Sequence, residues 1–376
     1  HKHRRRQRQM CIRDRAYNMD DLNQNAKLGA ADRPNSYIGR SVPRERAKKL
    51  LEGKGKYVDD ILLPRMVHLS YVRSPLAHAK IKSINTENAK KIPGVLNVFT
   101  IDDIEKVCSP WQGVLGHLGE MRSPTQYPLA KDVVRWQGEP VAVVVANKRA
   151  VAEDALELVE IDYEDLDAQL DMETAMDKSK KVIHDDLGNN LFWTRTVNQG
   201  DVSEAFKQSH IVEEVTLDFA RHTGVTLETR AIVADWDSSE EKMTIYHNGQ
   251  APHMMQSIIA KHLNLSEGLV RIISCDVGGS FGIKVHVYPD EMVTVAVSKL
   301  LKRPVKFVAD RLESYSTDIH SRCHKILGKI GVDDKGKILA FEIDDLSGIG
   351  PFSVYPRTSA IETNQVLNLS AASYVV

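Results

Sequence analysis

Residues 275–284 read Cys-Asp-Val-Gly-Gly-Ser-Phe-Gly-Ile-Lys, three glycines around one Ser and one Phe, with a Lys beyond. Glycine at this density lets a backbone turn sharply or lets another molecule approach it closely. The stretch follows an apolar run, LVRIISCDV (269–277), and precedes a helical pattern opening at Pro289. Free backbone N–H groups converge at such a place, which suits anion binding. Two phosphate motifs fail the test. The dinucleotide fingerprint needs Gly at its first, third and sixth positions, and Gly278-Gly279-Ser280-Phe281-Gly282 does not supply them. The P-loop needs Gly-Lys-Ser/Thr, but Ile283 precedes Lys284 and Val285 follows it. The plain alternative is a tight turn that lets a helix pack on a sheet. Phe281 is the odd residue, since a large ring is poor turn chemistry. It is expected to pack its ring inward while its N–H points at a ligand.

A second stretch, His247-Asn248-Gly249-Gln250-Ala251-Pro252-His253, lies just after a strand pattern and just before a helical one. Gln250 can donate and accept hydrogen bonds without carrying charge. It either serves a ligand or begins a helix facing solvent. In Arg221–Glu228, His222 and Glu228 have the types of an acid/base pair, although such pairs are more often structural. The fourteen histidines form no HExxH, and His247 and His253 are six apart across a Pro. A metal held directly by side chains is not expected. No GxSxG elbow occurs. Cys11, Cys108, Cys275 and Cys323 offer no CxxC, zinc-ribbon or iron–sulfur spacing, and a reducing, cytoplasmic setting fits them.

The elements around these stretches read as α+β. Alternation and β-branched runs predict strands at 66–74, 80–84, 95–100, 140–146 and 160–166, with helices at 86–92 and 147–159. Residues 101–130 read as irregular, and 167–200 as a surface connector. Beyond it, helical spacing marks 203–209, 252–264 and 290–302. Asp290 and Glu291 fall in the last helix's first turn, where its dipole favours acids. Strand patterns mark 210–220, 232–237, 242–248, 269–277 and 303–311, and a hairpin spans 325–344.

The chain has 376 residues, 42% hydrophobic and 27% charged, an ordinary globular composition. No apolar run approaches the ~20 residues that a bilayer span needs. Residues 1–15 hold seven Lys/Arg and one Asp, leaving 43 basic against 50 acidic residues in the body. A basic arm of this kind can bind nucleic acid. However, Met10–Arg15, MCIRDR, reads as a translated transposase end from sequencing-library preparation, so residues 1–15 are expected to lie outside the native fold.

Six stretches together carry a resemblance. These are IGRSVPRERAKKLLEGKGKYVDDILLPRMVHLSYVRSPLAHAKI (38–81), VRWQGEPVAVVVA (134–146), HTGVTLETRAIVADWD (222–237), GQAPH (249–253), DVGGSFGIK (276–284) and PVKFVADRLESYSTDIHSRCH (304–324). In that order the chain resembles the molybdopterin-binding large subunit of the xanthine dehydrogenase, aldehyde oxidase and aerobic carbon monoxide dehydrogenase family. The resemblance implies a lead-in at 1–35 and a hammerhead-like α/β domain at 36–170. A connector at 171–199 and a truncated molybdopterin-binding domain at 200–376 would follow. It implies that Gln250 hydrogen-bonds the apical oxo group of molybdenum. Gly278, Gly279, Ser280, Phe281 and Gly282 would line the cofactor, the last four through backbone N–H groups. Ser280 stands where the family usually has Gly. Molybdenum would be held by the pterin dithiolene, with the cytosine dinucleotide form one option.

The implied chemistry is hydroxylation of an aldehyde, purine or other N-heterocycle, or oxidation of carbon monoxide, with water as oxygen source. Electrons would pass to an iron–sulfur small subunit and an FAD-binding medium subunit, in a dimer of heterotrimers. The general-base glutamate would lie beyond residue 376, so the chain alone is expected to be inactive. The other readings are a catalytically inactive scaffold subunit and a basic-arm nucleic-acid-binding protein.

Overall fold

The computed structural model describes Arg44 and residues 47–370. The basic stretch at 1–15, the lead-in to residue 35 and the start of the first family-like run lie outside the described residues, as do 371–376. The chain divides into two units, His1–Gly55 and Lys56–Val376. The described part of the first contains one short helix, Ala47–Leu51.

The described residues of the second unit form thirteen strands. They are β1 (Val67–Arg73), β2 (Ala79–Asn85), β3 (Val95–Phe99), β4 (Val133–Val134), β5 (Pro140–Ala146), β6 (Glu160–Asp165), β7 (Ile211–Phe219), β8 (Ala231–Asp237), β9 (Lys242–His247), β10 (Val270–Ser274), β11 (Val305–Val308), β12 (His324–Val332) and β13 (Ile338–Ser347). A seven-stranded mixed sheet runs β10-β9-β8-β11-β1-β5-β3, beside two three-stranded sheets, β13-β12-β7 and β4-β2-β6. The architecture is α+β, as the alternation of patterns predicted.

β5 explains the main sheet's core. Its sequence, PVAVVVA, is buried at every position. β-Branched residues fit a strand covered on both faces, and alternate side chains point to opposite sides. Ala142, Val144 and Ala146 pack with Ala152 and Ala155 of the helix Arg149–Leu156. Val143 and Val145 face the other way, into a larger core with Tyr71, Phe307 and the helices Pro252–His262 and Pro289–Leu301. The sheet is thus clad by helices on both faces.

One pairing places the two chemistry-bearing stretches. β9 and β10 are parallel neighbours, and their last residues, His247 and Ser274, are in register. The loops that leave them, 248–251 and 275–288, therefore emerge side by side. Ligand crevices in α/β sheets form outside the carboxyl ends of parallel strands in this way.

Several elements differ from the sequence reading. The strand predicted over 269–277 stops at Ser274, because Asp276 leaves the ladder and exchanges backbone and carboxylate bonds with Lys56 (2.9 and 2.8 Å). Residues 101–130 contain a short helix, Ile101–Ile104, with a Thr100/Asp103 capping box. Helices Arg311–Thr317 and Ala360–Leu369 were not anticipated. Among the described residues, no helix is long and apolar enough to cross a membrane.

Glu139, at the entry to β5, is 6% exposed and accepts the Arg135 N–H at 2.6 Å. Burial pushes its carboxyl up to about 7 from an ordinary 4.5. The folded chain thus holds this proton more tightly than the unfolded chain does. Stability contributed here falls as pH rises from about 4.5 towards 7. Glu139→Gln keeps an acceptor and removes the charge. It is expected to raise stability by up to about 3 kcal/mol at pH 8 and by little at pH 4, read from urea midpoints at both values.

Candidate functional site

Gln250 lies in the loop that leaves β9, and its own N–H donates to the Lys284 carbonyl at 2.9 Å, tying one loop to the other. Its side-chain Oε1 accepts from the Gly282 N–H at 3.1 Å and from the Ser280 hydroxyl. A backbone N–H can only donate, so the amide oxygen must face the glycine loop. The Nε2 group then points away from these donors. It has no partner among the described residues, and the residue is exposed. The backbone N–H groups of Gly279, Ser280 and Phe281 likewise have no acceptor among the described residues. An oriented amide donor and three free N–H groups thus stand on adjoining loops.

The glycine loop is held in unusual backbone states. Gly279 and Gly282 have φ of +99° and +93°, and Phe281 has φ of +53°. The left-handed region suits Gly and is costly for a bulky residue, and such outliers cluster at functional sites. The expectation that the Phe281 ring packs inward is overturned: the residue is 79% exposed. Its Cβ sits over Gly224, and its ring edge passes Gly279 within 3.1 Å of where a Cβ would stand. The left-handed backbone turns the side chain to the outer face of the loop. Ser280 bonds inward instead, its Oγ accepting the Lys284 N–H at 3.2 Å.

Beneath the loops lies a buried charge cluster. Arg230 is fully buried and grips Asp290 through two guanidinium nitrogens, one at 2.9 Å, while its Nε donates to Asp318 at 2.6 Å. Its plane lies 3.7 Å from the Tyr288 ring centroid. Burial alone would push the Asp290 carboxyl up, but Arg230 overrides it and holds the carboxyl below the usual range. At Asp318 burial wins and the carboxyl is pushed up, with Arg230 opposing. His247 Nε2 and Glu291 Oε2 approach to 3.2 Å, outside hydrogen-bond geometry. Asp290 and Glu291 are thus buried ion-pair partners first and helix-dipole residues second.

The structure brings Gln250, Gly278, Gly279, Ser280, Phe281 and Gly282 together. The His222 backbone pairs with Ser321, and the Glu228 carboxylate bonds the Gly278 N–H and Lys284 Nζ, which favours the structural reading of these two residues. Sequence reasoning missed Arg230 and Asp318, read Asp290 only as a helix-start acid, and missed the role of Lys284. A donor set of neutral amides around a Gly-rich cradle suits an oxo or phosphate-bearing group better than a bare cation, which would need anionic ligands.

The family profile described as "Molybdopterin cofactor-binding domain" matches residues 183–376, and "Aldehyde oxidase and xanthine dehydrogenase, a/b hammerhead domain" matches 52–167. The chain is 35% identical over 346 residues to the nicotine 6-hydroxylase large subunit of Paenarthrobacter nicotinovorans, covering 90% of this chain and 42% of that protein. It is 31% identical to the carbon monoxide dehydrogenase large chain of Hydrogenophaga pseudoflava, covering 87% and 42%. Among solved structures, quinoline 2-oxidoreductase from Pseudomonas putida 86 superposes with a TM-score of 0.85 at 31% identity, covering 88% of this chain and 42% of that one. The chain therefore spans well under half the length of these relatives. With both profiles in sequence order and the fold shared, it belongs to the family of molybdopterin-binding large subunits of xanthine dehydrogenase, aldehyde oxidase and aerobic carbon monoxide dehydrogenase.

Proposed function

We propose that this chain supplies one cofactor-facing wall of a molybdenum-dependent hydroxylase. The observation that carries the proposal is the Gln250 amide, fixed by the Gly282 N–H so that its donor end is free. The residues present fit the cofactor. Gln250 Nε2 and the Phe281 and Gly279 N–H groups would donate to its oxygen atoms. Gly278, Ser280 and Gly282 would let the backbone approach, and the exposed Phe281 ring would form an apolar wall. When bound, the molybdenum–pterin group supplies a two-electron oxidant that turns a C–H bond and water into C–OH, two protons and two electrons.

An N-heteroarene is the proposed substrate class, supported by the names of the nicotine hydroxylase and quinoline oxidoreductase relatives. The electrons would leave through iron–sulfur and FAD partner subunits, a reading supported by relatives named as chains or subunits of complexes. The division at 36–170, 171–199 and 200–376, a cytoplasmic setting and the cytosine dinucleotide form of the pterin belong to the same proposal.

The test is molybdenum content and anaerobic dye reduction of the complex that carries this chain, with quinoline, nicotine, an aldehyde, a purine and carbon monoxide compared. Near-stoichiometric molybdenum with turnover of a heteroarene supports the reading. A metal-free complex with no turnover of any of them points to a scaffold. Gly278→Ala gives a sharper expectation, because a Cβ there would stand 2.4 Å from Glu228 Cβ. The loop must shift, and bound molybdenum is expected to fall to a small fraction of wild type while the fold survives.

A further inference from the structure

The segment 223–228 runs directly beneath the glycine loop. Positions 224, 226 and 279 show how close the two lie. A Cβ at Gly224 would stand 2.9 Å from Ile283 and 3.2 Å from Phe281 Cβ, and one at Gly279 would stand 3.6 Å from Thr226. At the end of the segment, Glu228 and Gly278 exchange two bonds. The Gly278 N–H donates to Glu228 Oε2 at 2.7 Å, and the Glu228 N–H donates to the Gly278 carbonyl at 3.1 Å. The same Oε2 accepts from Lys284 Nζ at 3.1 Å. Lys284 lies at the loop's far end and is 2% exposed. Glu228 Oε1 is buried and has no hydrogen-bond partner. The Glu228 backbone is fixed in turn by the Thr226 hydroxyl, which donates to its carbonyl at 2.6 Å.

We propose that Glu228 is a positioning residue that locks the backbone of the glycine loop, gripping Gly278 at its start and Lys284 at its end. One carboxylate oxygen holding both ends fixes the loop's span. It can do so only because residue 278 has no Cβ. The charge of buried Lys284 supplies the second half of the grip, since a buried ammonium needs a counter-charge. Glu228 touches neither substrate nor the reacting atoms in this arrangement; it acts through Gly278 and Lys284. The lock rests on the proposed function only for its purpose, not for its existence.

The test is hydrogen exchange of the 276–284 backbone, together with molybdenum content, in the complex that carries this chain. Four forms are compared: wild type, Glu228→Gln, Glu228→Ala and the double variant Glu228→Gln with Lys284→Met. In Glu228→Ala, exchange at Gly278 is expected to rise at least about tenfold, as befits loss of a charge-assisted bond, while β8 and β9 stay protected. Glu228→Gln keeps an acceptor for Gly278 and is expected to fall between. The double variant removes the unpaired ammonium and is expected to recover protection towards wild type. It also keeps the test decisive if Glu228→Ala does not fold. A loop exchanging at the wild-type rate in Glu228→Ala overturns the lock. So does a double variant no better protected than Glu228→Gln, or a rise that β8 and β9 share equally. Faster loop exchange with full molybdenum retention supports the lock and contradicts the cofactor reading of the loop.

Discussion

Arg230→Met is expected to lower the thermal midpoint of the chain by roughly 10 °C, the largest loss of any single substitution in the buried cluster. Removing the guanidinium leaves the buried Asp318 without its counter-charge and leaves Asp290 held by Arg73 alone, whose Nη2 donates to it at 3.0 Å. Breaking a buried pair from one side typically costs ~3–5 kcal/mol, against a total stability of ~5–15 kcal/mol. Stacking on Tyr288 is also lost. Arg230→Lys retains the charge but not the planar fork that reaches Asp290, Asp318 and Thr317 together, so it is expected to recover only part of the loss. Adding Asp318→Asn to Arg230→Met removes the orphaned carboxylate and is expected to recover more than Lys does. A midpoint within about 2 °C of wild type for Arg230→Met, by calorimetry, contradicts this reading.

The second large effect belongs to Gln250. Removing one prepositioned donor to an oxygen that gains negative charge in the transition state typically costs ~100–1,000-fold in kcat. Gln250→Ala removes that donor and also the acceptor for Gly282 and Ser280. Gln250→Glu separates the two effects. A carboxylate still accepts from Gly282 and Ser280, so the loop is retained, but nothing is left to donate. Both variants are therefore expected to lose turnover by about a hundredfold or more, whereas only Ala is expected to loosen the loop.

The positions of the strands and of the two loops were legible for a local reason, whereas the sheet order that sets the loops side by side was not. PVAVVVA and the alternating 232–237 and 242–248 runs specify strands by their own pattern, and glycine spacing marks the loop. The orientation of Phe281 was not legible. Nothing in a non-glycine residue announces a φ of +53°, and the inward ring was inferred from turn chemistry alone. The helix Arg311–Thr317 was missed because Tyr and Ser weaken its helical signal, although Asp310 and Glu313 spell a capping box. The Arg230 cluster escaped for another reason. Its partners Asp290 and Asp318 lie 60 and 88 residues away, and single acidic residues read as helix-start or surface charges until the fold brings them together. Lys284 was read only as a failed P-loop lysine, yet it is a buried partner of Glu228.

The most direct measurement is turnover per bound molybdenum in the Gln250→Ala complex, with an N-heteroarene and a dye as acceptor. Dividing by bound metal separates a lost donor from lost cofactor. A value at least about a hundredfold below wild type, with strands β8 and β9 unchanged in hydrogen exchange, is the predicted result. A value within about twofold of wild type would show that Gln250 only begins the helix Pro252–His262 and would remove the donor role from this loop.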